Sequence, residues 1–233
     1  MNLLISLTQK SFLETKDITL VKSLGIKDFI VINKDYCLAS ISDTTDLLLA
    51  VNNKTPICKA YNQVIDFIDK DKYTNLVFVH DDVYIEDRHL ETKLEYYLEG
   101  YDIIGLAGGT NIELQPPALW HMMSQEKYGT VGHWSDDKKL WFGTTFGPSN
   151  KQVDLVDGLF IGVNAKKLYQ NNLRFDERLP GFHHYDLKFC LDAKKLNMSV
   201  FVVPILVSHM SPGLRSYTPE FKASENIFLQ IAK

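Results

Sequence analysis

Asn75-Leu76-Val77-Phe78-Val79-His80-Asp81-Asp82-Val83-Tyr84-Ile85 is the stretch on which the reading of this chain turns. Leu76 to Val79 is a short, continuous apolar run that ends abruptly in His80-Asp81-Asp82. Such a run suits a strand buried on both faces of a parallel or mixed sheet. Open α/β sheets bind their ligands just beyond the carboxyl ends of such strands. Two adjacent carboxylates at that point offer hard oxygen donors suited to Mg²⁺ or Mn²⁺. A metal-bound phosphate is therefore expected at this strand end.

Working outward, Thr55-Pro56 reads as a helix start, followed by Ala60, Val64, Ile65 and Ile68 at helical spacing. Phe29 to Ile32 is a β run, so residues 29–82 spell strand, variable segment, helix, strand, a βαβ arrangement. Residues 1–28 carry less signal. A helix is expected over 17–24, stopped by Gly25. Downstream, Asp87 heads a helix to Leu98, closed by Gly100, and residues 102–107 form a short strand. Residues 108–151 hold Pro116-Pro117, several glycines and all three tryptophans, and are expected to be an irregular binding segment. Residues 153–163 read as a strand interrupted at Asp157-Gly158, which suggests a bulge or a close approach. Helices are expected over 165–171 and 186–196, strands over 199–207 broken at Pro204, and a final helix from Pro219 to Ile231.

The 233 residues are 45% apolar and 23% charged, ordinary for a globular protein. Net charge is 25 − 29 = −4, so no basic face is implied and nucleic acid is not expected as a partner. Cys37, Cys58 and Cys190 form no C-x-x-C pair, which favours a reducing compartment over a disulfide framework or structural zinc. Leu3 to Leu7 is too short to span a membrane and lacks the flanks of a signal peptide. A cytoplasmic protein without a transmembrane segment is expected, with a peripheral role at a membrane left open.

Four segments and the tail, in order, resemble nucleotide-sugar glycosyltransferases of the GT-A fold, of the broad family 2 type. Ala60-Tyr61-Asn62 is similar to the family's Ala-Arg-Asn. Val77 to Val83 is similar to its apolar strand and D-x-D. Val156-Asp157-Gly158-Leu159-Phe160 resembles its acceptor-side strand, and Gly181 to Ala193 its Glu-Asp helix start. His209 to Gly213 is similar to the family's closing histidine and loop. Departures are visible. His80 stands at the usual first acid of D-x-D, Tyr61 at an arginine, and Tyr185 at the Glu of Glu-Asp. Lys188 and Asp192 stand where Asp and Arg are common.

The resemblance implies one GT-A-like α/β domain over 1–233, with a mixed, mostly parallel central sheet flanked by helices. Residues of about 29–107 would form the nucleotide-sugar half, about 108–215 the acceptor half, and 216–233 a C-terminal helix. It also implies transfer of a sugar from a nucleoside-diphosphate donor to a glycan, lipid-linked sugar or glycoprotein acceptor. The departing diphosphate needs a cation, and the acceptor hydroxyl needs a carboxylate to take its proton. Asp82 and His209 are the expected ligands of Mn²⁺ or Mg²⁺. Asp81, Asn33, Lys34 and Asn62 are assigned to the donor, and Arg215 to the diphosphate. Asp186 is the expected base, with inversion at the anomeric carbon. Asp157, Trp134 and His184 are assigned to the acceptor, and Trp141 joins Trp134 in a sugar platform. His80 is read as a half-buried histidine with a satisfied hydrogen bond.

Each assignment has an ordinary counterpart. Asp186 also suits a helix N-cap, His209 a surface turn, and the tryptophans plain packing. Alternatives are a metal-dependent phosphohydrolase, suggested by His80-Asp81, and a nucleotidyltransferase, for which no glycine-rich phosphate loop is present. A non-catalytic binding relic of the fold is a third.

Overall fold

The computed structural model describes residues 1–134, 140–211 and 217–232. The chain opens with β1 (Asn2–Leu7), a 3₁₀ segment (Phe12–Asp17) and α1 (Thr19–Ser23). β2 (Ile30–Val31), β3 (Tyr36–Ser40) and β4 (Thr45–Ala50) follow, then α2 (Ile57–Phe67), β5 (Asn75–Val79), β6 (Val83–Ile85) and α3 (Leu90–Gly100). The middle holds β7 (Ile103–Gly105), β8 (Ala107–Ile112), the single turn α4 (Trp120–Met123), β9 (Ser124–Trp134) and β10 (Trp141–Gly147). β11 (Lys151–Gln152), β12 (Leu155–Val156), β13 (Phe160–Asn164) and α5 (Ala165–Gln170) lead to α6 (Tyr185–Lys195), β14 (Val200–Val202), β15 (Val207–His209) and α7 (Pro219–Ile231).

β5 is buried along its whole length because both its faces are covered. Phe78 packs against Tyr61 of α2 and Phe189 of α6 on one face. On the other, Val77 stands in register with Gly162 of β13, whose missing side chain makes room for Ile104 and for Leu98 of α3. The sheet is mixed, as the motif order implies, and runs β11-β14-β7-β13-β5-β1-β4-β3-β2. Parallel pairing is found at β4-β1-β5 and at β7-β14, three pairs of eight; the remaining five are antiparallel, so the sheet is mixed but not mostly parallel as expected. At the amino end of the parallel core, Asn75 donates to Asn2 and Asn2 to Thr45 across three strands. The buried polar groups there are paired, as burial requires.

Two further expectations are corrected. β1, from a stretch assigned no strand, lies at the centre of the sheet between β5 and β4. Within 108–151 most of the described residues are regular: β8, β9 and β10 form an antiparallel run within a second sheet, β12-β8-β9-β15-β6, with β10 on β9. Its glycines reflect close packing. At Gly129, φ is +96°, and a Cβ would lie 2.0 Å from the Leu106 carbonyl oxygen. The break at Asp157-Gly158 is a crossing between sheets, since Leu155 and Val156 pair with β8 while Phe160 to Asn164 pair with β5. Among the described residues, no helix is long and apolar enough to cross a membrane.

Candidate active site

Beyond Val79 the chain passes from the first sheet into the second, and His80-Asp81-Asp82 is the joint between β5 and β6. Its backbone is tied on every side. His80 N–H donates to the Leu159 carbonyl (3.1 Å) and Val83 N–H to the His80 carbonyl (3.3 Å). The Asp81 and Asp82 carbonyls accept from Leu20 N–H (3.1 Å) and Met210 N–H (3.0 Å). β15 runs antiparallel to β6 with His209 opposite Val83, which brings the His209 ring to the same joint.

His80, Asp82 and His209 form a compact trio whose candidate ligand atoms lie within 4.8 Å of one another. His209 Nε2 is 3.3 Å from Asp82 Oδ1, and His80 Nδ1 is 3.9 Å from the same oxygen. Asp82 Oδ1 and His209 Nε2 are buried, and neither is aligned in a hydrogen bond with any described residue. Buried polar atoms without partners are costly, so this pair fits a cation that would satisfy both. Burial alone would raise the Asp82 carboxyl, but the proximity and charge of His209 outweigh it and hold it below its ordinary range. Burial would lower His209, but Asp82 prevails and raises it. His80 moves the other way: burial lowers it despite Asp82.

Asp186 stands in the first turn of α6 and accepts from Gly158 N–H at 2.9 Å through Oδ2. Burial, then the charge of Asp157, pushes its carboxyl up to about 7. A carboxylate poised near neutrality is suited to general base work. Asp157 is held by Trp120 Nε1 at 2.7 Å and by Leu159 N–H at 3.1 Å. His80 Nε2 lies 2.7 Å from the Tyr185 hydroxyl, which donates to the Gly158 carbonyl, and Gly158 N–H donates to Asp186, so the expected base and the trio border one region. Gly158 is required there by crowding, because a Cβ would lie 2.4 Å from the Tyr185 hydroxyl and 3.0 Å from Asp186 Cβ.

A cleft of about 520 Å³ opens beside the trio, lined in part by Thr8, Lys10, Tyr61, Asp81 and Asp82. Thr8 and Lys10 belong to the loop after β1 and were missed with that strand. A larger, shallower depression of about 700 Å³ lies at the amino end of β5, beside Thr74 and Asn75, and holds none of the trio. Asn33 and Lys34 occupy the turn between β2 and β3, where Asn33 Oδ1 accepts from Asp35 and Tyr36 N–H. β3, β4, β1 and β5 are consecutive in the sheet, so this turn is about 14 Å across the sheet from β5 at ordinary strand spacing.

Three assigned residues are placed elsewhere. Asn62 cannot serve the donor, because its amide is used up inside the fold: Nδ2 donates to Phe175 O and Glu177, and Oδ1 accepts from Phe175 N–H. His184 is buried rather than open to an acceptor, with Nδ1 2.9 Å from Ser224 Oγ and its ring against Phe221 and Phe228 of α7. Trp134 sits on the wrong face of the second sheet. His133 is the register partner of both His209 and Phe142, so by strand alternation Trp134 and Trp141 face away from His209. Trp141 instead donates to Ser208 at 2.8 Å. The face that carries His209 continues through His133 and Phe142, whose rings are 5.5 Å apart. Arg215 lies outside the described residues.

Comparison with known proteins gives a family for the chain and solved structures of similar fold. The model of the glycosyltransferase-like family matches residues 38–220. No curated protein matches the sequence. Among solved structures, GalNAc-T7 with UDP, GalNAc and Mn²⁺ is similar over 98% of this chain, with 8% identity and a TM-score of 0.55. S. aureus TarS 1-349 with UDP is similar over 100% of the chain, with 13% identity and a TM-score of 0.50. The same protein with UDP-GlcNAc is similar over 93%, with 14% identity and a TM-score of 0.50. The chain spans 48% of the GalNAc-T7 chain and 65% and 61% of the two TarS chains.

Proposed function

Because the chain belongs to the glycosyltransferase-like family, we propose that it moves a sugar from a nucleoside-diphosphate donor to a hydroxyl acceptor at the carboxyl end of β5. The carrying observation is the buried pair of Asp82 Oδ1 and His209 Nε2, 3.3 Å apart at that strand end and without an aligned hydrogen bond. In this reading these two residues hold a divalent cation, Mn²⁺ or Mg²⁺, which supplies positive charge to the departing diphosphate when bound. Asp81, which lines the adjoining cleft, contacts the donor's ribose or sugar. Lys34 and Asn33, on the sheet edge, meet the nucleotide.

Asp186 takes the proton of the acceptor hydroxyl. Its anchor to Gly158 N–H fixes the carboxylate, and its raised pKa gives it affinity for a proton near neutral pH. Asp157 steadies the acceptor side and, through its charge, the basicity of Asp186. With the base on the acceptor side, attack comes from the face opposite the leaving group and inverts the anomeric carbon. The acceptor is a glycan, a lipid-linked sugar or a glycoprotein, and the setting is polysaccharide assembly in the cytoplasm.

The test is nucleoside diphosphate release from a panel of nucleotide-sugars, starting with UDP-sugars because UDP is named in the TarS and GalNAc-T7 structures. Metal-dependent release that requires an acceptor, is lost in Asp82→Ala and gives an inverted product by NMR supports the reading. No turnover of any donor, or full activity in Asp82→Ala, overturns it.

A further inference from the structure

The two departures at His80 and Tyr185 touch each other. His80 stands where the family usually has an acid, Tyr185 where it has a glutamate, and His80 Nε2 is 2.7 Å from the Tyr185 hydroxyl. That hydroxyl also lies 2.8 Å from the Gly158 carbonyl oxygen. A carbonyl oxygen only accepts, so the single hydroxyl proton of Tyr185 goes to Gly158. The Tyr185 oxygen must then accept from His80, and His80 Nε2 must carry its ring proton. Nδ1 is left with a bare lone pair, and Nδ1 is the atom that faces Asp82 Oδ1 at 3.9 Å.

We propose that Tyr185 is a positioning residue that fixes His80 in the Nε2–H form, and that His80 Nδ1 is a third ligand of the cation held by Asp82 and His209. This rests on the metal-dependent reading above and goes beyond it. It revises the sequence reading of His80, whose satisfied hydrogen bond turns out to be what frees its other nitrogen. The hydroxyl is held rigidly. Tyr185 is buried at 3% exposure against Tyr61 and Phe175, with ring centroids 6.0 Å away in each case. Gly158 closes the back, since any side chain there would collide with the hydroxyl. Fixing the tautomer of a ligating histidine through its other nitrogen is the usual task of such a partner. The resulting set of two imidazoles and one carboxylate is softer than a pair of carboxylates. It should favour Mn²⁺ over Mg²⁺, which prefers oxygen donors.

Two readouts on the metal-free protein and on Mn²⁺ alone test this. The first is the ¹⁵N pattern of the His80 ring by long-range NMR correlation, where the Nε2–H form is expected and the Nδ1–H form overturns the proposal. The second is Mn²⁺ affinity from the free-ion EPR signal. Tyr185→Phe should weaken binding about 10- to 100-fold, and His80→Ala at least as much. His80→Asp should restore binding, shift preference toward Mg²⁺, and make the further change Tyr185→Phe silent. A merely structural role for Tyr185 predicts equal losses in both backgrounds and defeats the positioning claim. Unchanged Mn²⁺ affinity in His80→Ala, with binding lost in Asp82→Ala, removes His80 but leaves the proposed site. Unchanged affinity in Asp82→Ala removes the site itself. If Tyr185→Phe does not fold, the wild-type NMR pattern and the metal preference of His80→Asp decide.

Discussion

Asp186→Asn should stabilise the protein while disabling it. In the folded chain burial and Asp157 push the Asp186 carboxyl from its ordinary 3.8 up to about 7. Below about pH 4 it is protonated in both folded and unfolded chains. Between there and about pH 7 only the folded chain keeps the proton, so stability falls as pH rises; above that range both forms are ionised and the cost is constant. At about 1.4 kcal/mol per unit the full shift corresponds to about 4 kcal/mol. Asp186 is half-buried rather than sealed, and screening by cleft water reduces this to about 2 kcal/mol. Asparagine keeps an oxygen for Gly158 N–H and carries no charge against Asp157. For a chain of this size the gain is a melting temperature higher by about 4–8 °C at pH 8. The difference should vanish near pH 4. Acceptor-dependent transfer should drop by about 10²–10⁴-fold, the usual contribution of a general base. Calorimetry across pH 4–8 and a single-turnover assay measure both. A lower melting temperature at pH 8, a pH-independent difference, or transfer at the wild-type rate refutes the assignment.

The pH profile of wild-type kcat/KM should rise about tenfold per unit up to about pH 7, as Asp186 loses its proton; a flat profile over pH 5–8 argues for another base. Mn²⁺ should raise the wild-type melting temperature by mass action, and Asp82→Ala should abolish that rise. Gly158→Ala should cost about 1–3 kcal/mol in denaturant unfolding, because the new methyl meets the Tyr185 hydroxyl at 2.4 Å. Phe78→Ala should cost about 3–5 kcal/mol, since its ring fills the space between Tyr61, Phe175 and Phe189.

The core of the fold was legible because the strand 76–79 and the helices α2, α3, α6 and α7 carry clear apolar patterns, although of these helices only α7, through Thr218, has a side-chain N-cap bond. β1 was not, because a lone six-residue strand has no periodicity to separate it from other apolar runs, and its partners β4 and β5 lie more than 40 residues away. The second sheet was hidden by glycines at Gly108, Gly109, Gly129 and Gly132. They mimic a loop in composition, yet they mark close approach of backbone or side chains. In the site, Asp82, His209, Asp157 and Asp186 were singled out by residue type and order, and the structure gathers them around one region. Trp134, His184 and Asn62 failed for reasons of orientation, which composition does not encode. A sheet face, a buried ring and an amide already spent on Phe175 become visible only in three dimensions. The link from His80 to Tyr185 spans 105 positions, but both residues had been marked as departures, and pairing them was the available clue.

In the proposed reaction Asp82 and His209 hold a cation that faces the donor diphosphate at the end of β5. A crystal structure with Mn²⁺ and UDP, read by the anomalous signal of manganese, tests it most directly. A manganese peak bonded to Asp82 and His209 is expected, with the diphosphate beside it in the cleft that Asp81, Thr8 and Lys10 line. Manganese or UDP bound elsewhere, with Asp82 and His209 left in contact only with each other, contradicts it.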